Sequence, residues 1–310
     1  MWLLRKATPP NLVPMVGLRR EINSMGIIDP STRRGPGPGK DGTPIKAIAF
    51  LGGGRITGAL AAGLRLAGDQ REIVVYDRHP EKVRALRRES RVVVARDLKS
   101  AVERAGMLII AVRPGSVKQM LAEVAACGAV SPKLCVGLAA GIPLRNLRAW
   151  LAGVRWVRAM PSPVCRMGRG FTPVAFDRGV RSRDRARVRE LFARVGVVVE
   201  IAERQMDAIT ATASPTHGYH ALATLAKAAQ DAGLDRGTAL AAAAHALADG
   251  ISYWRESRGE LSGLLKEAAT PGGIAAATMA AMDEAGYGRV IAKGLAAGIG
   301  QARRNAGRPK

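Results

Sequence analysis

The feature that most narrows what this chain can fold into is a glycine turn between two apolar runs. Ile45–Leu51 reads as a strand and ends in Gly52-Gly53-Gly54. A helical pattern begins at once and covers Thr57 to Ala67. A second apolar run, Ile73–Tyr76, closes on Asp77, roughly two dozen residues beyond the first glycine. A turn without side chains lets backbone approach a pyrophosphate, and the following helix offers unpaired N–H groups to that anion. An acid at the end of the second strand is suited to ribose hydroxyls. The expectation is a nicotinamide or flavin dinucleotide, with Gly52, Gly53, Gly54, Arg55 and Ile56 at the pyrophosphate and Asp77 and Arg78 at the adenosine ribose. The third fingerprint position falls on Thr57, with Gly58 one residue late. A β-branched residue there is expected to crowd helix against strand.

From Ile45 to about Glu203, strands and helices alternate. The strand candidates after the first two are Val92–Val94, Met107–Val112, Leu134–Gly137, Trp156–Arg158, Thr172–Ala175 and Val197–Ile201. Helical patterns cover Pro80–Arg88, Ser116–Ala126 and Arg183–Arg194 between them. This alternation implies an α/β fold with a mainly parallel, doubly wound sheet of Rossmann type.

After Gln205 the strand signals stop. Helices are expected over Met206–Ala232, Thr238–Trp254, Leu261–Ala268, Ile274–Glu284 and Tyr287–Arg304. Thr238–Ala248 is apolar nearly all round, which calls for burial on every side, shared with a second copy of the chain. A charge placed at His245 is therefore expected to be buried and unpaired. The chain divides into an extension (1–44) rich in Gly and Pro, expected to be disordered, a dinucleotide-binding domain (45–204) and an all-α dimerisation and substrate domain (205–310).

Composition excludes other classes. No run reaches the roughly 18 apolar residues that span a bilayer, and Met1–Lys6 is too short and too soon charged for a signal peptide. Net charge is +23, but basic residues are scattered and aromatics for stacking bases are few, so no specific nucleic-acid partner is expected. Cys127, Cys135 and Cys165 lack metal spacing and read as reduced thiols of a cytoplasmic protein. His217 and His220, three apart, lack a third ligand, so no metal is expected.

Six segments in order resemble the pyrroline-5-carboxylate reductase family: Gly52–Ile56, Ala111-Val112-Arg113-Pro114, Ala139-Ala140-Gly141, Arg158-Ala159-Met160-Pro161, Asp231-Ala232-Gly233 and Thr270-Pro271-Gly272-Gly273. The resemblance spans about 45–304. It implies an NADPH- or NADH-dependent reductase of a cyclic imino acid, acting in proline biosynthesis and assembled as a homodimer or higher homo-oligomer. It places Val112, Arg113, Pro114, Ala139, Met160, Pro161 and Ser162 on the nicotinamide side. Tyr219, Thr270, Pro271, Gly272 and Gly273 would hold substrate, with Pro271 starting a helix whose N–H groups face a carboxylate. Ser214, Thr216 and His217 are the catalytic candidates, His217 as a proton donor.

The chain departs from the family pattern on the substrate side. Met160-Pro161-Ser162-Pro163-Val164 replaces Met-Pro-Asn-Thr-Pro, and Ala213–Tyr219 keeps only the tyrosine of Ser-Gly-Ser-Gly-Pro-Ala-Tyr. Ala275 stands where the family has threonine. Two alternatives stay open: a hydroxyacid dehydrogenase using Lys227 as acid/base, and a catalytically silent dinucleotide-binding sensor or scaffold.

Overall fold

The computed structural model describes residues 27–28, 45, 47–128, 134–257 and 259–307. The expectation for 1–44 falls mostly outside them; Ile27–Ile28 (β1) pairs antiparallel with Val198 and Val199.

Strand β2 (Ala47–Leu51) is buried along its whole length. Successive side chains feed opposite faces: Ile48 and Phe50 enter one core, Ala49 and Leu51 the other. Both faces must therefore be covered, and helices cover them. On the first face lie α1 (Arg55–Leu66) and α2 (Pro80–Ser90), through Leu60, Leu64, Val83 and Leu86. On the second lie α3 (Leu98–Arg104), α4 (Val117–Ala126) and α5 (Leu144–Trp150), through Val102, Val117, Leu121, Val124 and Leu147. The sequence pattern does not reveal α3 or α5. Each has seven residues, too few for a helical period to show.

The remaining strands are β3 (Glu72–Tyr76), β4 (Val93–Val94), β5 (Met107–Ile110), β6 (Leu134–Gly137), β7 (Arg155–Ala159), β8 (Gly170–Phe176) and β9 (Gly196–Glu200). The order is β1-β9-β8-β7-β6-β5-β2-β3-β4. Strand β8 runs antiparallel to β7, because the link between them holds a short 3₁₀ turn (Pro163–Met167) in place of a crossover helix. Helix α6 (Ser182–Ala193) restores parallel pairing between β8 and β9. The sheet is mainly parallel and doubly wound.

Only helices follow among the described residues: α7 (Met206–Thr212), α8 (Thr216–Asp231), α9 (Arg236–Glu256), α10 (Leu261–Ala268), α11 (Ile274–Glu284) and α12 (Tyr287–Asn305). The continuous helix expected over Met206–Ala232 is broken between α7 and α8. Pro215 has no N–H and its ring crowds the carbonyl four residues back, at Ala211. That carbonyl instead accepts a hydrogen bond from His217 Nε2 at 2.8 Å.

Among the described residues, two polar contacts tie the helical part to the sheet domain. The end of α12 packs on the Ala139-Ala140-Gly141 turn: Asn305 Nδ2 donates to the Ala140 carbonyl at 3.3 Å and Asn146 Nδ2 to that of Ala306 at 3.2 Å. Gly141 (φ +80°) has no room for a Cβ, which would strike the Ala302 carbonyl. The second contact is Arg158, 3% exposed in β7. Its guanidinium faces Glu203 Oε1 (3.5 Å) and Asp207 Oδ1 (3.3 Å). Glu203 also accepts from the Leu144 N–H at 2.5 Å, capping α5 from a distance.

Away from these contacts the helices bury little within one chain. In α9 only Ala239 and Ala243 are buried, while Leu240 and Ile251 are about half exposed. Ile274, Val290 and Tyr253 are more exposed still. The all-round burial expected for α9 is not achieved by its own chain, which leaves its apolar surface exposed. His245 corrects one expectation. Its Nδ1 meets Asp249 Oδ2 at 2.8 Å, and it sits about 140° around the helix from Leu240, so it is neither unpaired nor on the apolar stripe.

Candidate active site

The site begins where the strand order reverses. Strand β2 lies between β3 and β5, and open parallel sheets bind ligands at the carboxyl ends of such neighbouring strands. The glycine turn after β2 and the Val112-Arg113-Pro114 turn after β5 meet there. Gly52 has φ +114°, and a Cβ on it would lie 2.7 Å from the Ala111 carbonyl oxygen. Gly53 is tight as well, with Val83 at 3.3 Å from its Cβ position. Gly54 differs: beyond its chain neighbours, no atom of the described residues lies within 4 Å of its Cβ position. It is the N-cap of α1, without a side-chain cap and without an acid in the first turn. The first residue of that helix is Arg55, an exposed cation at the positive end of a helix dipole. That placement is unfavourable unless an anion joins it. An open cradle, uncapped N–H groups and an added cation fit a pyrophosphate.

Thr57 corrects another expectation. It is fully buried, and its hydroxyl donates to the Gly52 carbonyl at 2.5 Å. It braces the turn without crowding it. Gly58 serves a close approach of another kind, between α1 and α2, its Cβ position lying 2.9 Å from Leu86.

Asp77 ends β3 with both oxygens engaged: Oδ2 accepts from the Gly53 N–H at 2.6 Å and Oδ1 from the His79 N–H at 2.9 Å. The carboxylate thus faces the glycine turn. Asp77→Ser is expected to move the ratio of NADPH to NADH specificity constants toward NADPH, because a 2′-phosphate is no longer repelled. Loss of the Gly53 contact should weaken both cofactors. An unmoved ratio would place the adenosine elsewhere.

On the side expected to face nicotinamide, Val112 and Pro114 are partly buried and Arg113 is exposed. Arg113 forms no ion pair with another described residue. Ala139 is 6% exposed and belongs to the core beneath, so its turn offers backbone and is already covered in part by α12. Met160 and Pro161 follow β7. Ser162 is committed to the fold: its Oγ accepts from the Phe171 N–H at 3.1 Å.

Ser214, Thr216 and His217 come together at the α7–α8 break. Ser214 Oγ donates to Thr216 Oγ1 at 2.9 Å, and His217 is tied to Ala211. Tyr219 is exposed one turn into α8. Pro271 does not start a helix, contrary to expectation. Gly272 has φ +75° and the Gly273 N–H donates to the Thr270 carbonyl at 2.9 Å, a type II turn with proline at its second position. Helix α11 starts at Ile274, again uncapped by any side chain. No hydrogen bond among the described residues joins Ser214–Tyr219 or Thr270–Gly273 to the glycine turn.

Sequence reasoning missed the roles of Glu203 and Asp207. The signal was present: Arg158 is a charge inside an apolar strand and requires buried partners. Among the described residues no group of three or more His, Cys, Asp or Glu could hold a metal, and no helix is long and apolar enough to cross a membrane. Burial pushes the Cys165 thiol up to about 12, which leaves it protonated and inert.

Residues 47–141 match the family model described as NADP oxidoreductase, coenzyme F420-dependent, and residues 203–305 match that for pyrroline-5-carboxylate reductase dimerisation. A Mycobacterium tuberculosis pyrroline-5-carboxylate reductase is 32% identical over 266 residues, covering 77% of this chain and 90% of that protein. The chain belongs to the pyrroline-5-carboxylate reductase family. The Escherichia coli reductase is 28% identical over 81% of this chain and 94% of its own length. Among solved structures, the Plasmodium falciparum pyrroline carboxylate reductase with NADP bound has a TM-score of 0.76 at 19% identity, over 86% of this chain and all of that one. The Coxiella burnetii reductase also gives 0.76, at 22% identity over 85% and 99%. These two likenesses concern the fold. Lys227, the acid/base of the alternative dehydrogenase reading, is exposed and bonded to Asp231 one turn on.

Proposed function

We propose that the protein is an NAD(P)H-dependent pyrroline-5-carboxylate reductase, reducing the C=N bond of a cyclic imine that carries a carboxylate. One observation carries this reading: the Gly52–Gly54 turn and the Val112–Pro114 turn meet at the switch point of the sheet, beside an uncapped helix start. Family membership supplies the reaction class. When bound, the reduced nicotinamide supplies the hydride. The chain's own task is to hold both reactants close and in line, since an iminium already carries positive charge and needs little acid catalysis. Gly52–Ile56 hold the pyrophosphate and Asp77 the ribose. The uncapped start of α11 and the Thr270–Gly273 turn suit the substrate carboxylate. Ser214, Thr216 and His217 supply polar groups from the α7–α8 break.

The working unit we propose is a homodimer built on the exposed apolar faces of the helical domain. The Cys127 and Cys165 thiols, in no disulfide, suit a reducing cytoplasm.

Oxidation of NADPH and NADH with pyrroline-5-carboxylate and related cyclic imines tests the proposal. Turnover supports it; binding of either dinucleotide without turnover of any imine favours the sensor reading. Ala275 lies in the first turn of α11 and is exposed. Ala275→Thr restores a hydroxyl beside that turn. It is expected to raise kcat/KM for pyrroline-5-carboxylate by about twofold to tenfold, the value of one net hydrogen bond. A lower value would show that the substitution does not limit this substrate.

A further inference from the structure

We propose that Glu123 is a positioning residue for cofactor choice, holding the Arg78 guanidinium away from the adenosine ribose and so favouring NADH over NADPH. This rests on the dinucleotide reading above. Two residues at the end of β3 face the place where the two cofactors differ. Asp77 is anchored to the Gly53 and His79 N–H groups, and a carboxylate there accepts from a ribose hydroxyl and repels a 2′-phosphate. Arg78 is the neighbouring cation and the natural partner for that phosphate.

The structure occupies Arg78 otherwise. Its Nη2 donates to Glu123 Oε1 at 2.5 Å, bringing together residues 45 apart in sequence. Glu123 stands on α4, which follows the β5 turn on the opposite side of the switch point. Gln119, one turn earlier on α4, donates through Nε2 to the same Oε1 at 3.1 Å. The acceptor is thus held from two directions. The pair is partly open to water, with side-chain exposures of 44% for Arg78 and 36% for Glu123. Exposed pairs are weak, so this one biases Arg78 without locking it. A 2′-phosphate must draw Arg78 off Glu123 and then sit near both carboxylates. A 2′-hydroxyl meets neither cost.

The test is fluorescence titration of the full chain with NADH and with NADPH, comparing wild type, E123Q, R78A and the double variant. E123Q is expected to tighten NADPH relative to NADH by about twofold to fivefold. R78A alone should shift the ratio toward NADH only slightly, because Arg78 is already withheld. In the R78A background E123Q should produce no further shift. An unmoved ratio in E123Q overturns the proposal. So does the same shift with and without Arg78, since Glu123 would then act by its own charge. Failure of wild type to bind either dinucleotide would instead overturn the functional reading beneath it.

Discussion

Gly54→Val is expected to weaken dinucleotide binding at least about tenfold, roughly 1.4 kcal/mol, with little change in the unfolding temperature. Gly54 has φ −78° and ψ −175°, a conformation valine adopts without strain. Its Cβ position meets no atom of the described residues beyond its chain neighbours. The first carbon of the added side chain therefore has room in the protein, and a group that approaches the start of α1 would meet it. Gly52→Val is the contrasting variant. At φ +114°, with the Ala111 carbonyl oxygen 2.7 Å from its Cβ position, it should destabilise the whole sheet domain by several kcal/mol, on the order of the strain and overpacking costs combined. Calorimetric titration and thermal unfolding of the two proteins separate the roles. Undiminished affinity in Gly54→Val would remove the pyrophosphate assignment.

The Leu240→Asp, Ile251→Asp double variant is expected to sediment as a monomer or to become insoluble. The two side chains lie about three turns apart on one stripe of α9, and each is about half exposed in the single chain. Covering the exposed half of each side chain contributes about 1 kcal/mol, roughly half the value for full burial, and a carboxylate there would have to be buried without a partner. His245→Glu, away from the stripe, is the control. It loses the Asp249 contact and should cost only a few tenths of a kcal/mol, about the value of an i,i+4 like-charge pair. Wild-type protein that sediments as a monomer, or a double variant that associates as wild type does, would contradict the shared-core reading.

The sequence by itself determined the parts whose physics is local. Alternating apolar runs and helical periods in 47–200 specify a parallel sheet covered on both faces, because each run must bury both sides. The glycines after Leu51 announce a turn that side chains cannot make. The bounds of α10 and α11 follow from their apolar period and flanking glycines. Tertiary structure decided what depends on groups distant in the chain. Whether Thr57 crowds or braces turns on the Gly52 carbonyl, five residues away. Pro215 can be read locally as a helix breaker, yet the carbonyl it frees is claimed by His217 only because the chain folds back there. Pro271 is, by contrast, a local case: Pro271-Gly272 forms a turn closed by the Gly273 N–H on the Thr270 carbonyl, three residues away. Arg158, Glu203 and the start of α5 form one part-buried junction from segments up to 59 residues apart. The Arg78–Glu123 pair likewise spans the switch point. Periodicity reports which face of an element is apolar, whereas charges and polar groups take the partners that long-range packing brings within reach.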